Sequence, residues 1–157
     1  LHLRTRRQRQ MCIRDRNMTA DTLGGRVRVS VSGDTKYESW IRPAVLNLWK
    51  GVYNKLGKSG SMDSALLEFG YVASGRLDGF LGVHYKPWDS AAGLYLVKAA
   101  GGAISLFKDG VWTRYNGPIR DLYGKDHTDQ PLVFVSHPDI HQEVLDFVGD
   151  PKEWADK

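Results

Sequence analysis

Disulfide bonds within the chain are excluded by its cysteine content, because Cys12 is the only cysteine among the 157 residues. Long apolar runs are lacking as well. The longest mainly apolar window, residues 91–107, contains Lys98 and three glycines, whereas a membrane-spanning helix needs about 20 apolar residues. We therefore expect no membrane partner, and the absence of a disulfide framework favours a cytoplasmic protein.

Basic charge is scarce outside the first 16 residues. That segment holds six arginines and one aspartate of the 22 basic and 18 acidic side chains, so residues 17–157 carry 16 basic and 17 acidic ones. The formal net charge of +4 thus belongs to the segment, and we expect no nucleic-acid partner for the rest of the chain. Residues 1–16 lack the apolar region of a secretory signal, and we interpret them as a leader that is an artefact or disordered. An arginine-rich arm that binds nucleic acid is the alternative.

Hydrophobic periodicity predicts mixed strands and helices after this segment. Valines at 27, 29 and 31 alternate with polar residues, as in a half-buried strand, whereas residues 38–56 repeat apolar side chains at helical spacing. The predicted order is β-α-α-β-α-β-β-β-α, with strands at 26–32, 77–83, 103–107, 111–115 and 131–136, helices at 38–56, 63–74, 88–100 and 138–148, and loops at 57–61 and 116–130. We expect an α/β protein with an α+β-type mixed sheet.

Two local features of the predicted helices are specific enough to test. Ser136 and Asp139 predict a capping box for the last helix, with Pro138 in its first turn. For the helix at 88–100, we expect six small or apolar residues to face the core: Ala91, Ala92, Tyr95, Leu96, Ala99 and Ala100.

Three patterns resemble ligand sites but favour structural roles. LGKSGS, residues 56–61, follows a helix and lacks the glycine that a phosphate-binding loop needs five positions before Gly57, so we interpret it as a connector. His137 and His141 lie four residues apart, as metal ligands on one helix face do, but no third ligand is near in sequence. We expect surface or capping histidines there, and a helix C-cap at Gly101-Gly102.

KPWDSAAGLYLVKAAGG, residues 86–102, contains the most informative acid. Asp89 lies at the predicted start of a helix, where the helix dipole favours a negative charge. The other interpretation is a Mg²⁺ ligand, which requires further oxygen ligands. Asp78, eleven residues upstream, is the nearest candidate, and the spacing alone does not bring the two carboxylates together.

YVASGRLDGF, residues 71–80, followed by KPWDSAAGLYLVKAAGG, resembles the C-terminal portion of the inositol monophosphatase family. The tryptophan-aspartate pair, the small residues after it, the closing alanine-glycine-glycine and the interval from Asp78 to Asp89 all match, and the resemblance extends from about residue 26 to 148. It implies the C-terminal half of a layered α/β/α/β/α sugar-phosphatase sandwich. It also implies Mg²⁺-dependent hydrolysis of a phosphate monoester, with Asp89 as a metal ligand.

The family's other metal ligands are absent from this chain. They belong to its first half, in a glutamate motif and an aspartate-proline-isoleucine/leucine-aspartate-glycine-threonine motif. We therefore expect residues 17–157 to be the C-terminal half of a phosphatase domain, without a catalytic residue of its own and inactive alone. The missing N-terminal half or a homodimer partner would pack against it. The alternative is a non-catalytic split or degenerate subunit that acts as an interaction module, because half a sandwich exposes apolar surface.

The substrate-binding positions also depart from the family. The resemblance implies that the family's glycine-serine/threonine-alanine turn, which contacts substrate, corresponds to Asp63, Ser64 and Ala65. The family has an arginine three residues before this turn, and Gly60 stands at that position here. A family glutamate that contacts inositol hydroxyls is replaced by Gly82. We expect a small phosphorylated metabolite as substrate, of the inositol-, sugar- or nucleotide-phosphate type.

Overall fold

The computed structural model describes residues 27–33, 39–56, 58–83, 85–123 and 132–157. Two predicted features lie outside these ranges. They are the leader, residues 1–16, and the second half of the polar loop, residues 124–130. In the described part, no helix has both the length and the apolar character that crossing a membrane requires.

The described part contains six strands and four α-helices, in nearly the predicted order. The strands are β1 (Arg28–Gly33), β2 (Lys58–Gly60), β3 (Gly79–Val83), β4 (Ala103–Lys108), β5 (Val111–Arg114) and β6 (Leu132–Ser136). The helices are α1 (Ile41–Leu56), α2 (Ala65–Ala73), α3 (Pro87–Ala99) and α4 (Pro138–Val148). Two short 3-10 helices, Ile119–Tyr123 and Pro151–Asp156, precede β6 and follow α4.

The strands form one mixed sheet in the order β2-β1-β3-β6-β4-β5. β1 is parallel to both β2 and β3, and the remaining pairs are antiparallel. Val31 of β1 lies opposite Leu81 of β3. Because β1 and β3 are parallel, their carboxyl ends lie at the same edge of the sheet.

Helices cover both faces of this sheet. α1 and α4 pack on one face in a core that includes Leu81, and α2 and α3 pack on the other in a core that includes Phe80. Adjacent residues of β3 therefore point into opposite cores, as the pleat of a strand requires. This architecture confirms the predicted α/β class and mixed sheet.

The segment that we expected to be a connector contains β2. Lys58–Gly60 pairs in parallel with the start of β1, and Ser30 Oγ lies 2.7 Å from the Gly60 carbonyl oxygen. Three residues are too few to show the alternation of a strand. The segment forms a strand because β1 supplies the hydrogen bonds that pair with it.

The predicted polar loop at 116–130 was also partly wrong. Ile119, Leu122 and Tyr123 of the first 3-10 helix are buried in the core beneath α2 and α3. The Tyr123 hydroxyl lies 2.5 Å from Ser90 Oγ of α3. This contact ties the segment to the helix that carries Asp89.

The predicted core stripe of α3 was wrong apart from Ala91, which is partly buried and packs against the core. The buried residues are Ser90, Gly93, Leu94 and Val97, whereas Tyr95 and Leu96 are 65% and 48% exposed. A Cβ added to Gly93 would lie 2.5 Å from the Phe69 side chain of α2. The close approach of the two helices at this glycine turns the larger apolar residues outward.

The predicted capping box was wrong as well. The N-cap of α4 is His137, whose Nδ1 accepts a hydrogen bond from the Asp139 backbone N–H at 3.2 Å. Ser136 ends β6, and its hydroxyl donates to the His137 carbonyl oxygen. Pro138 occupies the first turn as expected, because its missing N–H and fixed φ suit that position.

Candidate functional site at the carboxyl edge of β1 and β3

Asp89 lies in the first turn of α3 with an exposed side chain. Its backbone N–H donates to the carbonyl oxygen of Lys86, the N-cap, at 3.0 Å, and Pro87 occupies the first helical position. Asp89 therefore lies at the start of a helix, as its sequence context predicted. In the residues that the structure describes, no three histidine, cysteine, aspartate or glutamate side chains are grouped to hold a metal ion. An exposed carboxylate suits Mg²⁺, but the described residues do not assemble a complete site around it.

Asp78 does not join Asp89. It precedes β3 while Asp89 follows it, so a five-residue strand, about 17 Å at the usual rise, separates the two positions. The buried Asp78 carboxylate accepts a hydrogen bond from the Arg28 backbone N–H at 2.8 Å. Its carbonyl oxygen accepts from the backbone N–H of His137 at 2.9 Å. Asp78 thus fixes the beginning of β3 between its two neighbouring strands.

The predicted substrate turn, Asp63-Ser64-Ala65, leads into α2. Asp63 has φ of 52°, a left-handed conformation that glycine adopts easily and that aspartate tolerates better than most residues. Asp63 and Ser64 are exposed, whereas Ala65 begins α2 and is buried.

Glu68, one turn into α2, is fully buried and was missed by the sequence analysis. Ser30 Oγ lies 2.5 Å from Oε1, which also accepts from the Met62 backbone N–H at 3.0 Å. Ser32 Oγ donates to Oε2 at 2.7 Å and lies 2.5 Å from the Tyr85 hydroxyl. We call these five residues the Glu68 cluster. Its signal in the sequence was weak, because one glutamate in a short helix is usually exposed.

Gly82, the position of the family's glutamate, is buried in β3. A Cβ placed there would lie 3.1 Å from Tyr85 Cδ2 and 3.2 Å from the Phe80 ring. A longer side chain at Gly82 would require these rings to move. The Tyr85 ring therefore occupies the space that a glutamate side chain at this position would enter.

His141 belongs to a second buried cluster, on the face covered by α4. Its Nε2 lies 2.8 Å from Ser105 Oγ of β4, and its Nδ1 lies 2.7 Å from Ser136 Oγ of β6. Burial, with a smaller contribution from the positive charge of Arg114, lowers the pKa of His141 to about 3. We call His141, Ser105 and Ser136 the His141 cluster. The predicted capping role is confirmed for His137, but the expectation of a surface or capping histidine was wrong for His141, which is 3% exposed.

The Glu68 cluster brings the predicted site residues to one edge of the sheet. Met62 precedes the predicted substrate turn, and Tyr85 precedes the helix that begins with the predicted metal ligand. The Met62 backbone N–H donates to Glu68, and the Tyr85 hydroxyl pairs with Ser32 of β1, which donates to Glu68 as well. The segments that lead into α2 and α3 therefore lie at the same edge of the sheet, and helix N-termini favour anions such as phosphate.

A family model described as the inositol monophosphatase family matches residues 7–146, nearly the whole chain. The chain belongs to the inositol monophosphatase family. The matched range begins within residues 1–16, the segment that we interpreted as a leader. This membership confirms the resemblance seen in the two motifs around Asp78 and Asp89.

Several curated proteins are similar to this member of the family. The Nus factor SuhB of Escherichia coli strain K12 is 42% identical over 65 residues, which are 41% of this chain and 24% of the relative. The inositol-1-monophosphatase ImpA of Mycolicibacterium smegmatis is 25% identical over 138 residues, covering 86% of this chain and 44% of the relative. The chain thus spans less than half the length of these curated relatives.

Solved structures show the same fold. Mycobacterium tuberculosis SuhB matches with a TM-score of 0.60 at 21% identity, covering 83% of this chain and 43% of that one. An IMPase from Thermotoga maritima matches with a TM-score of 0.60 at 23% identity, covering 87% of this chain and 46% of that one. This member of the inositol monophosphatase family therefore matches the fold of slightly less than half of each of these two structures.

Proposed function

We propose that the chain is the C-terminal half of a cytoplasmic, Mg²⁺-dependent phosphatase that hydrolyses a small phosphate monoester. The observation that carries the proposal is the placement of the predicted substrate turn and the start of α3 at one sheet edge. Family membership and relatives named as phosphatases support the same reaction class.

In this proposal the two helix starts serve different parts of one substrate. The N-terminus of α2, after Ser64, presents unpaired backbone N–H groups to a polar or anionic group of the substrate. Asp89 supplies one oxygen ligand to Mg²⁺, which when bound neutralises phosphate charge and activates water. The remaining ligands would come from the N-terminal half, because the described residues do not provide them. The chain alone is therefore expected to be inactive.

The substrate remains one of three types, namely an inositol, sugar or nucleotide phosphate. The site has no glutamate to bind polyol hydroxyls, since Gly82 and the Tyr85 ring occupy that position. A curated relative from Aquifex aeolicus is named as both a fructose-1,6-bisphosphatase and an inositol-1-monophosphatase. A panel of substrates is consequently needed in the assay.

The test joins the N-terminal half of the Thermotoga maritima IMPase, which would supply the missing acidic motifs, to residues 27–157. Phosphate release is measured with Mg²⁺ on one monoester of each type, for the chimera and for the chain alone. We expect turnover from the chimera only, and its loss in Asp89→Asn because a metal ligand is removed. Asp139→Asn is the matched control, because Asp139 is also an acid in the first turn of a helix.

Three results would contradict the proposal. Turnover by the chain alone would contradict the expectation that this half is inactive by itself. A folded chimera with no turnover on any of the three types, or an Asp89→Asn chimera as active as the Asp139→Asn control, would exclude the phosphatase role of this half.

The second candidate is a non-catalytic subunit that binds another protein. The outer side of α2 and α3 favours it, because large apolar residues there are exposed: Leu66, Leu67, Trp88, Tyr95 and Leu96. One relative is named a Nus factor and not a phosphatase. The N-terminal half or a second copy of the chain would cover this surface in the first proposal. Sedimentation of the chain alone, and again with a separately produced N-terminal half, distinguishes self-association from pairing with that half.

A further inference from the structure

We infer that Glu68 is a positioning residue that holds the substrate turn and the start of α3 in a fixed arrangement. The inference about its purpose rests on the proposed function, whereas the physical coupling between the two segments does not. Glu68 lies inside the protein and reaches the site only through the residues bonded to it.

The burial of Glu68 requires an explanation. Its side chain is fully buried, and among the described residues its partners are two hydroxyls and one backbone N–H, with no cation. A buried carboxyl without a cation is costly unless hydrogen bonds satisfy both oxygens. An apolar residue would fill the same space in α2 at no such cost, so the hydrogen bonds themselves explain its presence.

Each oxygen of Glu68 serves a different segment. Oε1 accepts from the backbone N–H of Met62, the residue directly before the turn at Asp63. Oε2 accepts from Ser32 Oγ, which pairs with the Tyr85 hydroxyl one residue before the N-cap of α3. One rigid carboxyl group therefore links the two segments, and the path between them contains only one further side chain, Ser32.

The strand serines anchor this link to the sheet. Ser30 and Ser32 are alternate residues of β1, so both hydroxyls point to the face covered by α2. Ser30 Oγ also lies 2.7 Å from the Gly60 carbonyl oxygen at the end of β2. The edge strand, the predicted substrate turn and the segment before α3 are thus all tied to β1.

The test measures amide hydrogen exchange by NMR in the whole chain and four variants. The reporters are the Met62 amide and the amides of Asp89 and Ser90, which donate to the Lys86 carbonyl oxygen. In Glu68→Ala we expect both reporter sets to exchange about tenfold faster or more, since the Met62 N–H loses its acceptor and Ser32, which holds the Tyr85 hydroxyl, loses its own.

Two variants separate the links. Ser32→Ala removes the hydrogen bond to Glu68 Oε2 and with it the connection to Tyr85, but keeps the hydrogen bond from Met62 to Oε1. Exchange should therefore accelerate at Asp89 and Ser90 and change little at Met62. Glu68→Gln should restore both sets nearly to the wild-type rates. Its carbonyl oxygen can accept from Met62, and its NH₂ group can donate to Ser32 Oγ, which then donates to the Tyr85 hydroxyl.

Ser136→Ala is the matched control, because it removes a buried strand hydroxyl from the His141 cluster. If Ser136→Ala accelerates the reporters as much as Glu68→Ala does, the effect is global destabilisation and the inference is wrong. Unchanged exchange at Met62 in Glu68→Ala, or a Glu68→Gln variant as fast as Glu68→Ala, would overturn it as well. Exchange requires no turnover, so an inactive chimera would sink the proposed function and leave this coupling intact.

Discussion

The Glu68 cluster and the His141 cluster are built from the same parts. Each joins one ionisable side chain of a helix to the hydroxyls of two strand serines, and these three side chains are buried in each cluster. They differ in where the hydrogen bonds lead. The His141 cluster closes between β4, β6 and α4, whereas the Glu68 cluster continues to Met62 and Tyr85, outside the strands.

This difference separates an architectural role from a positioning role. Disturbing the His141 cluster should lower the stability of the whole fold, because its partners all lie within packed elements. Disturbing the Glu68 cluster should also release two segments at the sheet edge. The following predictions test that distinction, beginning with the largest effect on stability.

Acid should act on the His141 cluster. The pKa of His141 is about 3 in the folded chain and 6.5 when unperturbed, so the unfolded chain binds the proton first as the pH falls. The stabilisation is complete above about pH 6.5 and is lost progressively down to about pH 3, by about 1.4 kcal/mol per unit. From pH 7 to pH 4 we expect a loss of about 3 kcal/mol from this group.

Urea unfolding followed by tryptophan fluorescence at several pH values measures this loss. His141→Asn is the control, because asparagine can hydrogen-bond to the serines but does not titrate. The free energy of unfolding of the variant should depend less steeply on pH below 6.5. Parallel pH profiles for the two proteins would show that His141 is not held neutral.

Removal of the Glu68 carboxyl should cost less. Glu68→Ala leaves the Met62 N–H without its partner and creates a small void, so we expect a loss of about 2 kcal/mol in the free energy of unfolding. Glu68→Gln should cost under about 1 kcal/mol, because its amide can make both sets of hydrogen bonds. The urea midpoints of the two variants check this order. Equal losses would mean that the cluster contributes through volume and not through hydrogen bonds.

The contact between α2 and α3 should be sensitive to one methyl group. A Cβ at Gly93 would overlap the Phe69 side chain, which neighbours Glu68 in α2, so Gly93→Ala should cost about 1.5 kcal/mol. Gly70→Ala is the matched control, since its Cβ would meet nothing within 4 Å. Alanine there should stabilise the helix by up to about 1 kcal/mol. Thermal unfolding of both variants checks the opposite signs, and a stabilised Gly93→Ala would disprove the close approach.

The smallest effect is expected at Asp89. Its side chain is exposed, and Asp89→Asn removes only a favourable interaction with the helix dipole, about 0.5 kcal/mol. Asp139→Asn should cost a similar amount in α4. A loss of several kcal/mol on Asp89→Asn, measured by urea unfolding, would show that Asp89 has a structural role and not the site role proposed for it.

Prediction from the sequence succeeded where a single element carries a complete pattern. The alternating valines of β1, the long amphipathic repeat of α1 and the turn between β4 and β5 all lie close to their predicted places. It was less successful where two elements decide the outcome together. β2 exists because β1 pairs with it, and the outward side of α3 follows from the approach of Phe69 to Gly93.

The candidate site divides in the same way. Asp89 and the turn at Asp63 were found through motifs, which are contiguous in the chain. Glu68 was not found, because its side-chain partners Ser30 and Ser32 are 38 and 36 residues away in the sequence. No local pattern distinguishes such a glutamate from an exposed one.

The amino-acid sequence by itself determined the class of fold, the order of most elements, the family and the identity of Asp89 as the principal candidate ligand. Only the tertiary structure decided which residues surround it. It placed Asp78 at the far end of β3, put the Tyr85 ring beside Gly82, and linked the predicted substrate turn to the segment before α3 through Glu68 and Ser32. The physical reason is that periodicity and motifs record short-range geometry, whereas buried hydrogen bonds between distant residues form only when the sheet brings their segments together.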